Sequence, residues 1–166
     1  MNVCFIGHRN IVKTKELVCS LNNVLTTLLE KGVTTFMFGS MSEFDNLSWE
    51  VVTKLKEKYP FIKRVYVRSA YQDIDESYKN YLLESFEETY FPQQIANAGK
   101  YSYVERNCEM INKSTFCIFY YNENYIPKSK KQKNSSILKQ RNSGTKIAFE
   151  YATKKKKQII NLYNTK

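Results

Sequence analysis

Short β-prone runs alternate with helical patterns along almost the whole chain, and that alternation leaves few folds open. Residues 3–6 are apolar and end at Gly7. A helix from about residue 14 to 31 follows. Its apolar positions Leu17, Leu21, Val24, Leu25, Leu28 and Leu29 are spaced along one face of a 3.6-residue period. Residues 33–38, β-branched and aromatic, form the second run and end at Gly39. The next helix covers about 44–58, with Phe44, Leu47, Val51, Val52 and Leu55 as its buried stripe and Pro60 as its stop. Residues 62–67 are a third strand, 74–90 and 101–112 read as helices, and 115–121 form a fourth, central strand. Residues 143–155 are the last helix and 158–162 the fifth strand. Alternation at this spacing builds βαβ units with right-handed crossovers. The expected fold class is α/β, a Rossmann-like three-layer sandwich with a mostly parallel central sheet of about five strands, formed as one domain over residues 1–166.

Composition removes several function classes. A chain of 166 residues buries a sizeable core without disulfides or metals. Cys4, Cys19, Cys108 and Cys117 form no C-x-x-C pair, and His8 is the only histidine, so neither a zinc site nor a disulfide framework is expected. No cofactor is implied. The first residues lack a basic n-region, and no apolar run approaches the ~20 residues of a membrane span. The expectation is a cytoplasmic protein without membrane contact. The net charge of +10 is concentrated: residues 128–166 hold twelve Lys or Arg and the single acid Glu150, while the rest of the chain is close to neutral. Basicity therefore belongs to one loop and the last helix and tail. Residues 127–141, polar and lysine-rich, are expected to be a mobile basic loop.

Three loops carry the chemistry. In an open parallel sheet the ligand crevice lies at the carboxyl ends of the strands. Helix N-termini there offer free N–H groups and a positive dipole end to an anion. The first loop is Gly7-His8-Arg9-Asn10, where Arg9 is placed to grip a phosphate with two parallel bonds. The second runs from Gly39 through Ser40, Met41, Ser42, Glu43 and Phe44 to Asp45. Its backbone amides with Ser40 or Ser42 suit a phosphate, and Asp45 or Glu50 a ribose hydroxyl. The alternative is that Ser42 or Asp45 only caps a helix. The third, Asn142-Ser143-Gly144-Thr145, opens the last helix with small hydroxyl residues around a glycine, as a phosphate cradle or as a plain cap by Asn142 or Ser143. No G-x-G-x-x-G, Walker A or nucleophile elbow is present.

The apolar strand ending in Gly7-His8-Arg9 resembles the opening of the YpsA-like branch of the SLOG superfamily. Gly39 to Asp45 with the downstream Glu50 is similar to that branch's second loop. Tyr103 with Arg106, then a strand, then Ser143-Gly144-Thr145 with Tyr151-Ala152, resembles its C-terminal half. The resemblance implies a Rossmann-like fold and a nucleotide-type ligand. It also implies that relatives include phosphoribohydrolases, binders of single-stranded DNA and nucleotide sensors. Two departures stand out: Asn10 replaces a proline common after the arginine, and Ala148 occupies the position where the hydrolase branch carries a catalytic glutamate. Glu150 lies two residues on, about 200° around a helix.

The leading expectation is therefore binding of a nucleotide or nucleotide-derived phosphate through Gly7, His8, Arg9, Gly39, Ser40, Ser42, Asp45, Ser143, Gly144 and Thr145, without efficient turnover. An N-glycosidase would use Glu43 or Glu50 to stabilise charge at the sugar or to activate water. Single-stranded nucleic-acid binding through residues 128–157, with Tyr120, Tyr121 and Tyr125 as stacking groups, is the third and less favoured reading. A homo-oligomer, in the form of a dimer, would be served by aromatics such as Tyr90 and Phe91.

Overall fold

The computed structural model describes residues 1–125 and 143–163. Eleven main elements follow in order: β1 (Asn2–Gly7), α1 (Lys15–Glu30), β2 (Thr35–Phe38), α2 (Glu43–Lys58), β3 (Lys63–Val67), α3 (Glu76–Leu83), β4 (Glu88–Tyr90), α4 (Ser102–Lys113), β5 (Phe116–Tyr120), α5 (Gly144–Lys154) and β6 (Gln158–Asn161). All strand pairs are parallel, in the order β4-β3-β2-β1-β5-β6. The chain thus moves outward from β1 to β4, returns to the other side of β1 for β5, and ends at β6.

The period of two along β1 makes the sandwich three layers thick. Val3 and Phe5 face one core with Leu21 and Leu25 of α1 and Val52 of α2. Cys4 and Ile6, one residue out of phase, face the other with Met110 and Ile111 of α4 and Ala148 and Ala152 of α5. Such a strand, apolar on both faces, is the mark of a buried parallel sheet. The starts of α1, α2, α3 and α5 are each capped by a side chain. The hydroxyls of Thr14, Ser42 and Ser143 accept the amides of Leu17, Asp45 and Lys146, and the Asp75 carboxylate accepts that of Tyr78.

The sheet has six strands rather than five. Residues 74–90 do not form one helix: α3 ends at Leu83, and Glu88–Tyr90 adds a short edge strand against β3. Its Glu-Thr-Tyr sequence carries no alternating apolar signal, so only pairing with β3 defines it. The basic loop read at residues 127–141 lies outside the described residues. Among those described, no helix is long and apolar enough to cross a membrane.

Candidate functional site

The order of strands reverses on either side of β1, so the loops after β1 and β5 part there and leave a crevice. It holds a cavity of about 700 Å³, inside the roughly 300–1,000 Å³ of small-molecule sites. All three glycine loops reach it. Its walls include residues 7–10 after β1, Ser40, Ser42 and Asp45 at the start of α2, and Ser143, Gly144 and Thr145 at the start of α5. Tyr103 and Arg106 of α4 and Tyr125 after β5 complete it.

Two glycines let these loops close up. A Cβ on Gly7 would lie 2.5 Å from Cβ of Phe44, so β1 meets α2 only because that atom is missing. A Cβ on Gly39 would lie 2.6 Å from both Arg106 Nε and Met110 Sδ. Gly39 is therefore the residue that allows the Arg106 side chain to pass beneath the second loop.

The start of α2 is bonded to itself. Asp45 is only 3% exposed, and its carboxylate accepts the Ser40 amide at 3.2 Å, the Ser40 hydroxyl at 2.6 Å and the Ser42 hydroxyl at 2.5 Å. Burial pushes the Asp45 pKa up, and the two serine hydroxyls and the Arg106 charge pull against that rise. The hydroxyls read as phosphate contacts thus face an internal carboxylate. Neither Glu43 nor Glu50 lines the cavity. Glu43 accepts the Ile11 amide at 2.7 Å and the Asn10 side-chain amide at 3.3 Å, and Glu50 pairs with Lys13 at 2.6 Å on the outer surface. They serve the β1–α1 connection.

The start of α5 differs. Its first turn has no acid. Ser143 caps the Lys146 amide and Thr145 donates its hydroxyl to the Gly7 carbonyl at 3.0 Å, tying α5 to β1. The amides of Gly144 and Thr145 open the helix, where no intrahelical carbonyl is available to them.

Two further groups point to an anion. Arg106 is 4% exposed and lines the cavity, yet its partners are neutral: the Val67 carbonyl at 3.4 Å and Asn107 Oδ1 at 3.0 Å. Among the described residues no carboxylate lies within 4.0 Å of it, and Asp45 acts on it only at longer range. Desolvation lowers its pKa, the sign of a cation held out of water without full compensation. His8 is 1% exposed, stacks on Tyr125 at 3.8 Å between ring centroids, and takes the Asn122 amide on Nε2 at 2.9 Å. Nε2 also lies 3.1 Å from the Asn122 carbonyl, and Nδ1 is buried with no hydrogen-bond partner among the described residues. Burial lowers the His8 pKa and keeps the ring neutral. Arg9 is exposed at the rim, and its side chain makes no ion pair among the described residues.

Arg106 is the group the reading by loops left out of the site. It appeared only beside Tyr103 as a point of family likeness. The available signal was its place four residues before Met110, a charge on the buried stripe of α4. Tyr120 and Tyr121 are engaged inside the protein, against Phe44 and Phe149 respectively. Among the described residues no group of three or more His, Cys, Asp or Glu could hold a metal ion.

A model of the YspA SLOG family matches residues 6–156 of this chain. Among solved structures, the chain is similar to DNA processing protein A from Helicobacter pylori, described in a study of its single-stranded DNA binding mode. The TM-score is 0.54 at 17% identity, covering 96% of this chain and 63% of that one. The chain therefore spans less than two thirds of that protein, and the likeness is one of fold. No curated protein matches it.

Proposed function

Because the chain belongs to the YspA SLOG family, with which it shares residues 6–156, we propose that the cavity at the carboxyl edge of its sheet binds a nucleotide or nucleotide-derived phosphate, without efficient turnover. The observation that carries this reading is Arg106, a buried guanidinium that lines the cavity and, among the described residues, has no carboxylate within 4.0 Å. A phosphate there would accept two parallel bonds from it, take the leading amides of Gly144 and Thr145, and meet the positive end of α5. Binding without turnover is supported by the engagement of the carboxylates: Asp45 is wrapped by serines, Glu43 and Glu50 lie on another surface, and Ala148 stands where the hydrolase relatives place their glutamate.

The test is thermal unfolding and calorimetry with AMP, ADP-ribose and NAD. A bound phosphate compound at a hundredfold excess over its Kd should stabilise the fold by ~2.7 kcal/mol. Arg106→Met should weaken that binding by ~1.5–3 kcal/mol, the range for hydrogen bonds to a charged group, while leaving the protein folded, because an incompletely compensated buried cation is replaced by an apolar chain of similar length. No stabilisation by any of the three compounds defeats the proposal. Release of free base from them would move the function to the N-glycosidase reading.

A second reading, single-stranded nucleic acid, has one observation in its favour: the solved protein of similar fold is described as binding single-stranded DNA. The +11 charge of residues 128–166 fits it. Oligonucleotide binding that falls steeply with salt is its signature.

A further inference from the structure

A second cavity of about 280 Å³ adjoins the first between α2, α3 and the end of β3. The two share Ser40, Met41 and Asp45 as a common wall. Their linings differ in kind. The first presents Arg106, amides and hydroxyls, whereas the second is faced by the rings of Trp49, Tyr66, Tyr78, Tyr81 and Phe86. Tyr66 and Phe86 are packed together at 5.1 Å, and Tyr78 and Tyr81 stack at 6.2 Å with an interplanar angle of 17°, both still open to solvent. Trp49 is oriented by its indole N–H, which donates to the Ser85 carbonyl at 3.1 Å, and the Arg64 guanidinium lies over its ring at 5.6 Å from the centroid. The Tyr66 phenol feels both Arg106 and Asp45, so the aromatic pocket begins where the anion site ends. Met41, 83% exposed, forms the lip between them and has a side chain that adapts to what it covers.

We infer that this aromatic pocket receives the base of the same ligand whose phosphate lies at Arg106 and the start of α5, so that the site selects nucleotides over plain sugar phosphates. The inference rests on the anion-site reading above. A flat heteroaromatic ring gains from stacking whatever its hydrogen-bonding edge, and the few polar groups nearby, Asn46, Ser85 and the Tyr66 hydroxyl, are placed for its edge rather than for a charge. The continuity of the cavities supplies the occupant: a phosphate held at one end brings its base to the other.

The experiment compares AMP with ribose 5-phosphate as probes, using calorimetry and the emission of Trp49, the sole tryptophan. AMP should bind about tenfold tighter, as expected for one stacked base, and should alone alter the Trp49 emission. The paired change Tyr78→Ala with Tyr81→Ala, on the exposed side of α3, should bring AMP to the affinity of ribose 5-phosphate and leave the latter unchanged. Equal binding of both probes with unmoved Trp49 emission overturns the base pocket and leaves the anion site standing. Equal weakening of both probes in the double variant overturns it as well. Failure of both probes to bind the native chain overturns both readings together.

Discussion

Helices α2 and α5 begin alike and end up unlike. Each starts at the same cavity, after a serine whose hydroxyl caps the third amide beyond it. At α2 the sequence brings its own anion: Glu43 and Asp45 fall in the first turn, and Asp45 folds back to take the Ser40 amide and two serine hydroxyls. At α5 the first turn is Gly-Thr-Lys, with no acid to fold back on its leading amides. One terminus has filled its own anion site and has become structure. The other has no carboxylate of its own to take the amides that a helix start leaves without intrahelical partners. Arg106 runs beneath the closed one and faces the space beside the open one. The positive groups facing the cavity are therefore Arg9, Arg106 and the start of α5, while the start of α2 is occupied by its own carboxylate.

The largest expected effect separates the two ends by packing. Gly7→Ala places a methyl against Cβ of Phe44 at the start of α2, where neither backbone gives way. Overpacking of this kind costs ~1–3 kcal/mol. Gly144→Ala meets only the edge of Tyr103, 3.0 Å away on a half-exposed ring that can rotate, and should stay within ~0.5 kcal/mol of the native protein. Thermal unfolding of the two variants measures this. If they prove equally costly, α5 is as tightly closed as α2.

Next come the caps. Ser42→Ala and Ser143→Ala should each lose ~1 kcal/mol of stability. The Ser42 change should lose more, because that hydroxyl also donates to the buried Asp45 carboxylate. Affinity for AMP should fall with Ser143→Ala and hold with Ser42→Ala. The reverse pattern would make α2 the anion site.

A third effect is absent at neutral pH and grows with acid. Burial holds the folded-state pKa of His8 below its ordinary 6.5. As pH falls past that value the unfolded chain takes up the proton first, so stability present above pH 6.5 is lost as pH drops through the lower folded-state value. Asp45, whose pKa burial raises, runs the opposite way: its contribution is full below its ordinary 3.8 and fades as pH rises. The difference in melting between the native chain and His8→Gln, followed from pH 7 downward, isolates the histidine. A constant difference would mean that the ring is not held neutral.

Much of this arrangement was legible in the sequence, and what was not has a physical reason. The strands of the core announced themselves, because β1 and β5 are apolar on both faces and end in turns. The short edge strand β4 did not, since its existence depends on β3 being beside it. The three loops were found because glycine and small hydroxyl residues at strand ends have a local cause. Their distinct roles were hidden. Ser40, Ser42 and Asp45 read equally well as ligand contacts or as a cap, and only the distances from Asp45 to its neighbours show how they are engaged. Arg106 was harder still, because its significance lies in what is missing near it, and a missing carboxylate is a property of three dimensions.

Arg9 carries the smallest expected effect and makes the sharpest test of where the binding energy resides. From sequence, an arginine two residues past β1 is a natural phosphate clamp. In the structure it is exposed at the rim, while Arg106 is buried at the floor. The same charge acts differently in the two places. At the rim, water and salt screen it, so Arg9→Ala should change stability by less than ~0.5 kcal/mol. Affinity should fall by only ~0.2–1 kcal/mol, as for an exposed ion pair, and the loss should fade as salt is raised. Arg9→Lys should retain most of the affinity, because a screened point charge does not need the planar fork. At the floor, the guanidinium is desolvated and its bonds are directional, so Arg106→Lys should bind measurably worse than native. Calorimetric titration of AMP into the four variants at low and high salt measures both residues at once. If Arg9→Ala loses as much affinity as Arg106→Ala, and keeps that loss at high salt, the rim closes over the ligand and the division between floor and rim is wrong.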